Sequence, residues 1–243
     1  MAGNTYCFRL LLINKPMKTF KTVIAALFLA AAIPATAGDD WANFRRYEQA
    51  DIEAAKLPAD QRRVVFMGNS ITQNWNSAHP DFFTSHGFVP RGISGQTSYQ
   101  FLLRFRDDVI NIHPEIVVIN AGTNDVAENN HVFSEDRTFG NIVSMVELAK
   151  ANGIRPVLST VLPSNRFGWR PEITDGSPKI ISLNKRIKKY ADENNIPFVD
   201  YYSPMVLDES GALNPAYTDD GVHPTSAGYD LMEKIVLEVL DKM

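Results

Sequence analysis

The stretch Arg63-Val-Val-Phe-Met-Gly-Asn-Ser-Ile-Thr72 (RVVFMGNSIT) decides how the chain folds. Four consecutive apolar residues end on Gly68, and a helix-prone polar stretch starts directly afterwards. A run that is apolar at every position, and not at alternate ones, predicts a short strand buried on both faces. That is the signature of a parallel sheet covered by helices. A serine, Ser70, falls in the turn between strand and helix.

The same pattern repeats outward from this stretch. Phe88–Arg91 (FVPR) predicts a second, weaker strand, and Ile116–Asn120 (IVVIN) a third after a helical stretch around Tyr99–Ile110. Pro156–Thr160 (PVLST) follows a periodic helix at about 139–151, which Gly153 is placed to stop. Pro197–Asp200 (PFVD) follows a helix at about 178–194, and the chain closes with a helix from Thr225 to about Leu240. Residues 43–56 are polar and predict a helix on the outside. Short apolar strands alternating with helices give an α/β fold, a three-layer α/β/α sandwich around a five-stranded parallel sheet. Ligands of such sheets bind at the carboxyl ends of the strands, so motifs that directly follow strands are the functional candidates.

Four motifs meet that test or can return to it. Gly68-Asn-Ser-Ile-Thr72 places Ser70 at a helix start, either as a nucleophile or as an ordinary N-cap. The α/β-hydrolase elbow needs G-x-S-x-G, and Thr72 occupies its last position. Arg91-Gly-Ile-Ser-Gly-Gln-Thr97 carries two glycines, which suit either close backbone approach to a ligand or a plain turn. Ala121-Gly-Thr-Asn-Asp125 offers the Asn124 side-chain amide as a hydrogen-bond donor, or as part of an Asx turn. Asp219-Asp-Gly-Val-His-Pro224 sets an acid three residues ahead of a histidine, the arrangement that holds an imidazole in the tautomer of a general base. His79, His86, His113 and His131 read as structural, and no second His or Cys stands at metal-ligand spacing to His223.

Together, in this order and at these strand ends, the four motifs resemble the blocks of the SGNH (GDSL-like) hydrolase family, from about Arg63 to Tyr229. The resemblance implies a flavodoxin-like sandwich and a serine esterase with no metal and no organic cofactor. It implies Ser70 as nucleophile, with Asp220 and His223 completing a triad. The backbone N–H groups of Ser70 and Gly95 and the Asn124 amide would form the oxyanion hole. The family's first block often reads Gly-Asp-Ser; here Asn69 replaces the acid, with similar size and hydrogen-bonding capacity. Asp219 is expected to be exposed, with Asp220 as the working acid.

The N-terminus carries its own signal. From Met17, MKTFKTVIAALFLAAAIPATAG has Lys18 and Lys21 ahead of an apolar run, then small residues Ala35 and Ala37. This predicts a secretory signal peptide cleaved near Ala37, with translation starting at Met17. Residues 1–37 are then an upstream extension plus leader, and residues 38–243 a single domain. The run is too short to span a bilayer, so no stable membrane insertion is expected. Residues 1–37 hold Arg9, Lys15, Lys18 and Lys21 and no acid, so their removal takes the net charge from −4 to −8. An acidic chain of this kind is a poor nucleic-acid partner. The single cysteine, Cys7, lies ahead of the cleavage site, leaving no thiol for a disulfide, a metal or a lipid anchor. A periplasmic or secreted location follows.

The segment Leu162–Lys179 (LPSNRFGWRPEITDGSPK) lacks helical or strand period and holds Phe167, Trp169 and Arg170. Irregular loops at strand ends commonly shape binding sites, so these three are candidates for substrate contact. An indole face suits a sugar ring, although Trp169 packing under its own loop is an equal reading. No apolar segment resembles a lid for long acyl chains. The expected substrate is a small-molecule or glycan ester with a short acyl group, acetyl above all. Lysophospholipase, platelet-activating-factor acetylhydrolase-like or thioesterase activity is the alternative within the family, and a non-catalytic glycan-binding module the alternative outside it.

Overall fold

A computed structural model describes residues 40–243. The expected leader, Met17, Cys7 and the cleavage site lie outside the described residues. Among the described residues no helix is long and apolar enough to cross a membrane.

Strand β1 (Val64–Gly68) is buried along its whole length. Val64 and Phe66 join one apolar cluster, and Val65 and Met67 join another on the opposite face, which is why every position of this strand had to be apolar. Strands β2 (Phe88–Gly92), β3 (Ile116–Ile119), β4 (Arg155–Ser159) and β5 (Phe198–Val199) complete a sheet of order β2-β1-β3-β4-β5. All four pairings are parallel.

Helices cover both faces. On one lie α4 (Ser98–Asp108), α6 (Glu135–Ala151) and α7 (Gly176–Glu193), which contribute Phe101 and Phe105, Ile142 and Met145, and Ile180 and Leu183 to its core. On the other lie α2 (Ser70–Ala78), α3 (Pro80–Ser85) and α9 (Ser226–Leu240), which contribute Ile71 and Trp75, Phe82 and Phe83, and Met232 and Val236. Three short or peripheral helices, α1 (Glu48–Lys56), α5 (Thr123–Val126) and α8 (Tyr202–Met205), complete the set. The expected α/β/α sandwich is therefore present.

The strand order fixes where a site can form. The chain leaves β1 toward the edge strand β2 and then returns across to β3. The loops after β1 and β3 therefore diverge to opposite faces, opening a crevice between two neighbouring strand ends. Ser70 follows β1, and Asn124 follows β3.

Local signals explain the boundaries that the apolar period misses. Helix α6 begins at Glu135, ahead of the expected 139, because the Ser134 hydroxyl accepts the Arg137 N–H (3.4 Å). Glu135 and Asp136 also suit the positive end of the helix. Residues 43–56 form a 3₁₀ turn (Phe44–Arg46) before α1 and not one continuous helix; Asn43 enters that turn in the left-handed conformation (φ 56°). Helix α3 was not apparent in the sequence and starts on Pro80, whose missing N–H costs nothing at a first helical turn.

Gly92 closes β2 where α2 passes over it. A Cβ there would lie 2.3 Å from the Gln73 nitrogen and 2.6 Å from the Asn69 carbonyl oxygen, both backbone atoms. Gly140, on the exposed side of α6, has open space around it. Gly92→Ala should cost about 3 kcal/mol by overpacking, lowering Tm by roughly 6–12 °C. Gly140→Ala should gain about 0.5–1 kcal/mol from helix entropy alone. Thermal melts of the two variants check the contrast, and equal Tm values would contradict it.

Candidate active site

Asn69, not Ser70, caps helix α2. Its side-chain oxygen accepts the Ile71 N–H at 2.9 Å, and the residue is buried. This removes the N-cap reading of the first motif: Ser70 is the first residue inside the helix, with its hydroxyl free of capping duty. It also accounts for Asn69, whose amide supplies the acceptor that the turn requires.

The Ser70 hydroxyl lies 2.9 Å from His223 Nε2, and His223 Nδ1 lies 2.6 Å from Asp220 Oδ2. An ionised carboxylate can only accept, so Nδ1 carries the ring proton and Nε2 is left to accept from the serine hydroxyl. The other Asp220 oxygen accepts the backbone N–H groups of Val222 and His223, both at 2.8 Å. Partial burial works to raise this carboxyl, but the His223 ring and those two N–H groups outweigh it and hold it at about 2. Thr218 braces the same loop by donating to the His223 carbonyl (2.8 Å) and accepting the Gly221 N–H (3.0 Å). Asp219 is exposed.

Two potential donors face this group from the neighbouring strand ends. Gly95 adopts φ +77°, a conformation that a side chain would strain. The Asn124 amide gives one N–H to the Gln96 carbonyl (2.9 Å), which leaves its second N–H available. Ser70, His223, Gly95, Asn124, Asn129 and Trp169 border one cavity of about 370 Å³.

The sequence profile of the GDSL-like lipase/acylhydrolase family matches residues 66–231, a span that holds every one of these groups. The chain belongs to that family. A GDSL-like lipase from Bacteroides thetaiotaomicron VPI-5482 is 59% identical and superposes with a TM-score of 0.82, covering 84% of the hydrolase and 99% of that chain. A multidomain esterase of Ruminococcus flavefaciens is 29% identical over 183 residues, which are 75% of the hydrolase and 23% of that protein. The hydrolase thus spans about a quarter of that relative's length. An acetylxylan esterase from Geobacillus stearothermophilus, 22% identical with a TM-score of 0.56 over 73% of the hydrolase and 93% of that chain, shares the fold.

The loop candidates of the hydrolase separate. Trp169 is 42% exposed, with its ring centroid 6.0 Å from that of His223. Its indole N–H donates to Asn129 (2.7 Å), and Asn129 donates to the Gly95 carbonyl (3.0 Å). Phe167, expected at the substrate surface, is instead buried in the core with its ring 5.6 Å from Trp169. It supports the indole from beneath, because an all-apolar ring gains most by leaving water. Arg170 does not border the Ser70 cavity; its guanidinium holds Glu172 (2.6 Å) and the Glu128 carbonyl. Asn129 and Asn74, which border the cavity, carried no sequence signal beyond being polar loop or helix residues.

A second hydroxyl–imidazole–carboxylate chain lies elsewhere in the hydrolase. Ser226 Oγ is 2.7 Å from His79 Nε2, and His79 Nδ1 is 2.6 Å from Glu233, which also accepts the Trp75 indole N–H (3.0 Å). Asp230 stands nearby, so a cluster of potential metal ligands forms that sequence spacing did not show. Both ring nitrogens are already hydrogen-bonded, and the contacts tie His79, the residue that follows α2, to α9.

The Asp220 carboxyl has consequences for acid stability. Its folded value, about 2, lies below the model-peptide value, so the stabilisation is present above pH 4 and is lost as pH falls toward 2. The side chain is about half exposed, so solvent screening keeps the effect modest. The stability difference between wild type and Asp220→Asn, from urea unfolding, should therefore shrink steadily between pH 4 and pH 2. A difference that stays constant over that range would contradict the assignment.

Proposed function

We propose that the protein is an exported serine esterase that removes short acyl groups, acetyl above all, from carbohydrates. The observation that carries this reading is the Ser70–His223–Asp220 hydrogen-bond chain opening onto the cavity that Gly95 and Asn124 also border.

His223 Nε2 takes the Ser70 proton as the hydroxyl oxygen attacks the ester carbonyl. The tetrahedral oxyanion forms where the Ser70 and Gly95 backbone N–H groups and the free Asn124 N–H converge, donors fixed before charge develops. The imidazolium, stabilised by Asp220, then protonates the departing alcohol. Water activated by the same nitrogen attacks the acyl-serine and releases the acid. Every step uses side chains and backbone of this chain.

Three features support the finer reading. The cavity beside Ser70 is small and bordered largely by asparagine, serine and glycine, which suits an acetyl group better than a long alkyl chain. A carbohydrate as the alcohol is supported by the exposed indole beside His223. Export rests on the leader pattern at Met17–Gly38. A glycan-binding module would need neither the aligned hydroxyl and imidazole nor the ionised acid behind them.

Ser70→Ala should abolish hydrolysis of p-nitrophenyl acetate. Asn124→Ala should lower kcat by roughly 100- to 1,000-fold with KM little changed, since only the developing oxyanion uses its free N–H. Steady-state kinetics on variants with wild-type circular dichroism check both. Full kcat in Asn124→Ala would remove the side-chain amide from the oxyanion site.

A further inference from the structure

The cavity beside Ser70 does not end at Trp169. A second cavity of about 500 Å³ shares Ser94, Gly95, Asn129 and Trp169 with it and continues to Trp41, Asn130 and Arg170. The chain has three tryptophans. Trp75 is buried in the core, and the other two, Trp41 (50% exposed) and Trp169 (42% exposed), both border this cleft. Indole surface left in water is costly, and two such rings in one groove are poised to gain by covering something flat and apolar.

Trp41 is held there by its backbone, not by its ring. Its carbonyl accepts the Gln100 side-chain amide (2.7 Å), and the next carbonyl, of Ala42, accepts the buried Gln96 amide (2.7 Å). Gln96 belongs to the turn that carries Gly95, so the stretch around Trp41 and the oxyanion turn are fastened together. The rest of the rim is polar: the Asn129 and Asn130 amides, Asp40 and the Arg170 guanidinium.

Reaction geometry says which part of the substrate this cleft receives. His223 must protonate the departing alcohol oxygen, so the alcohol portion lies on the His223 side of Ser70. Trp169 packs against His223 and borders both cavities. The alcohol therefore leads past Trp169 toward Trp41. A flat C–H face flanked by hydroxyl groups, the chemistry of a pyranose ring, matches indole platforms rimmed by amides. Resting on the esterase reading above, we propose that the groove from Trp169 to Trp41 is a binding site for an oligosaccharide alcohol moiety of two or more rings, with Trp41 a specificity-determining residue at its far end.

The test compares kcat/KM for acetate release from acetylated xylotetraose with kcat/KM for p-nitrophenyl acetate. In Trp41→Ala the ratio of the two should fall about tenfold, as expected for losing the contact area of one stacked ring. In Trp41→Tyr, which keeps an aromatic platform, most of the ratio should return. A second readout does not depend on turnover: fluorescence titration of the Ser70→Ala protein with unacetylated xylotetraose and cellotetraose should show binding to at least one, lost when Trp41→Ala is added. A wild-type ratio in Trp41→Ala, together with binding unaffected by that substitution, would overturn the subsite while leaving the esterase reading intact. Hydrolysis of p-nitrophenyl acetate with no Ser70-dependent release from any acetylated sugar, and no binding of either tetrasaccharide, would instead overturn the carbohydrate reading itself.

Discussion

Arg104 lies fully buried beneath the ends of β1 and β2, and its guanidinium ties together the parts from which the site is built. One nitrogen donates to the carbonyls of Gly68 and Arg91, each at 3.0 Å, and another to the Gln96 side chain at 2.6 Å. The remaining terminal nitrogen pairs with Asp108. Gly68 is two residues ahead of Ser70, Arg91 precedes the glycine against which α2 packs, and Gln96 follows Gly95. A buried charge is tolerable only when paired and fully hydrogen-bonded, and here four backbone or side-chain oxygens meet that demand. A second buried pair, Arg91 with Asp51 (2.6 Å), fastens α1 beside it, and burial pushes the carboxyls of Asp51 and Asp108 upward. Losing either partner of such a pair strands a charge in the interior, so this cluster has little freedom to move.

The constraint passes outward through Gln96. Its side chain is held between Arg104 and the Ala42 carbonyl, and its own carbonyl takes one N–H of Asn124. Asn124 is thereby oriented with its other N–H still to be used. Asp125 next to it accepts from the Ser98 N–H (2.9 Å) and hydroxyl (2.6 Å), which docks the start of α4 onto the turn after β3. Three strand ends are thus locked to one another before any substrate arrives, and preorganised donors of this kind lose nothing to reorganisation when charge develops. The fourth piece, the Asp220–His223 loop, is braced separately by Thr218.

Much of this was legible in the sequence, for physical reasons. Strands β1 and β3 are apolar throughout because both faces are covered, and the glycines at their ends, Gly68 and Gly122, stand where the side chains of Thr72 and of Val161 and Leu183 leave no room for a Cβ. Ser70, Gly95, Asn124, Asp220 and His223 stand out because each follows a strand or precedes the last helix in a recognisable motif. What escaped was whatever depends on burial. Arg104 and Asp108 belong to none of the motifs, yet they fall on the same stripe of α4 as Phe101 and Phe105, the face turned to the core. Charged residues on an apolar stripe are a usable signal that a loop reading of motifs passes over. Phe167 misled for the opposite reason: an aromatic ring in an irregular loop looks available, but loop aromatics gain most by turning inward. Trp41 lies in a polar stretch, and nothing local linked it to a cleft built by residues 93–100 and 129–170.

Labelling with a fluorophosphonate tests the central claim most directly, that the strand ends assemble one reactive serine under the control of His223. The serine oxygen forms a bond to phosphorus, fluoride leaves, and the hydroxyl proton passes to the imidazole. Intact-mass measurement should show one equivalent incorporated, peptide mapping should place it on Ser70, and His223→Ala should slow it by orders of magnitude. Label on Ser226, whose hydroxyl bears the same distance relation to His79 and Glu233, or labelling of Ser70 at a rate indifferent to His223→Ala, would contradict the account.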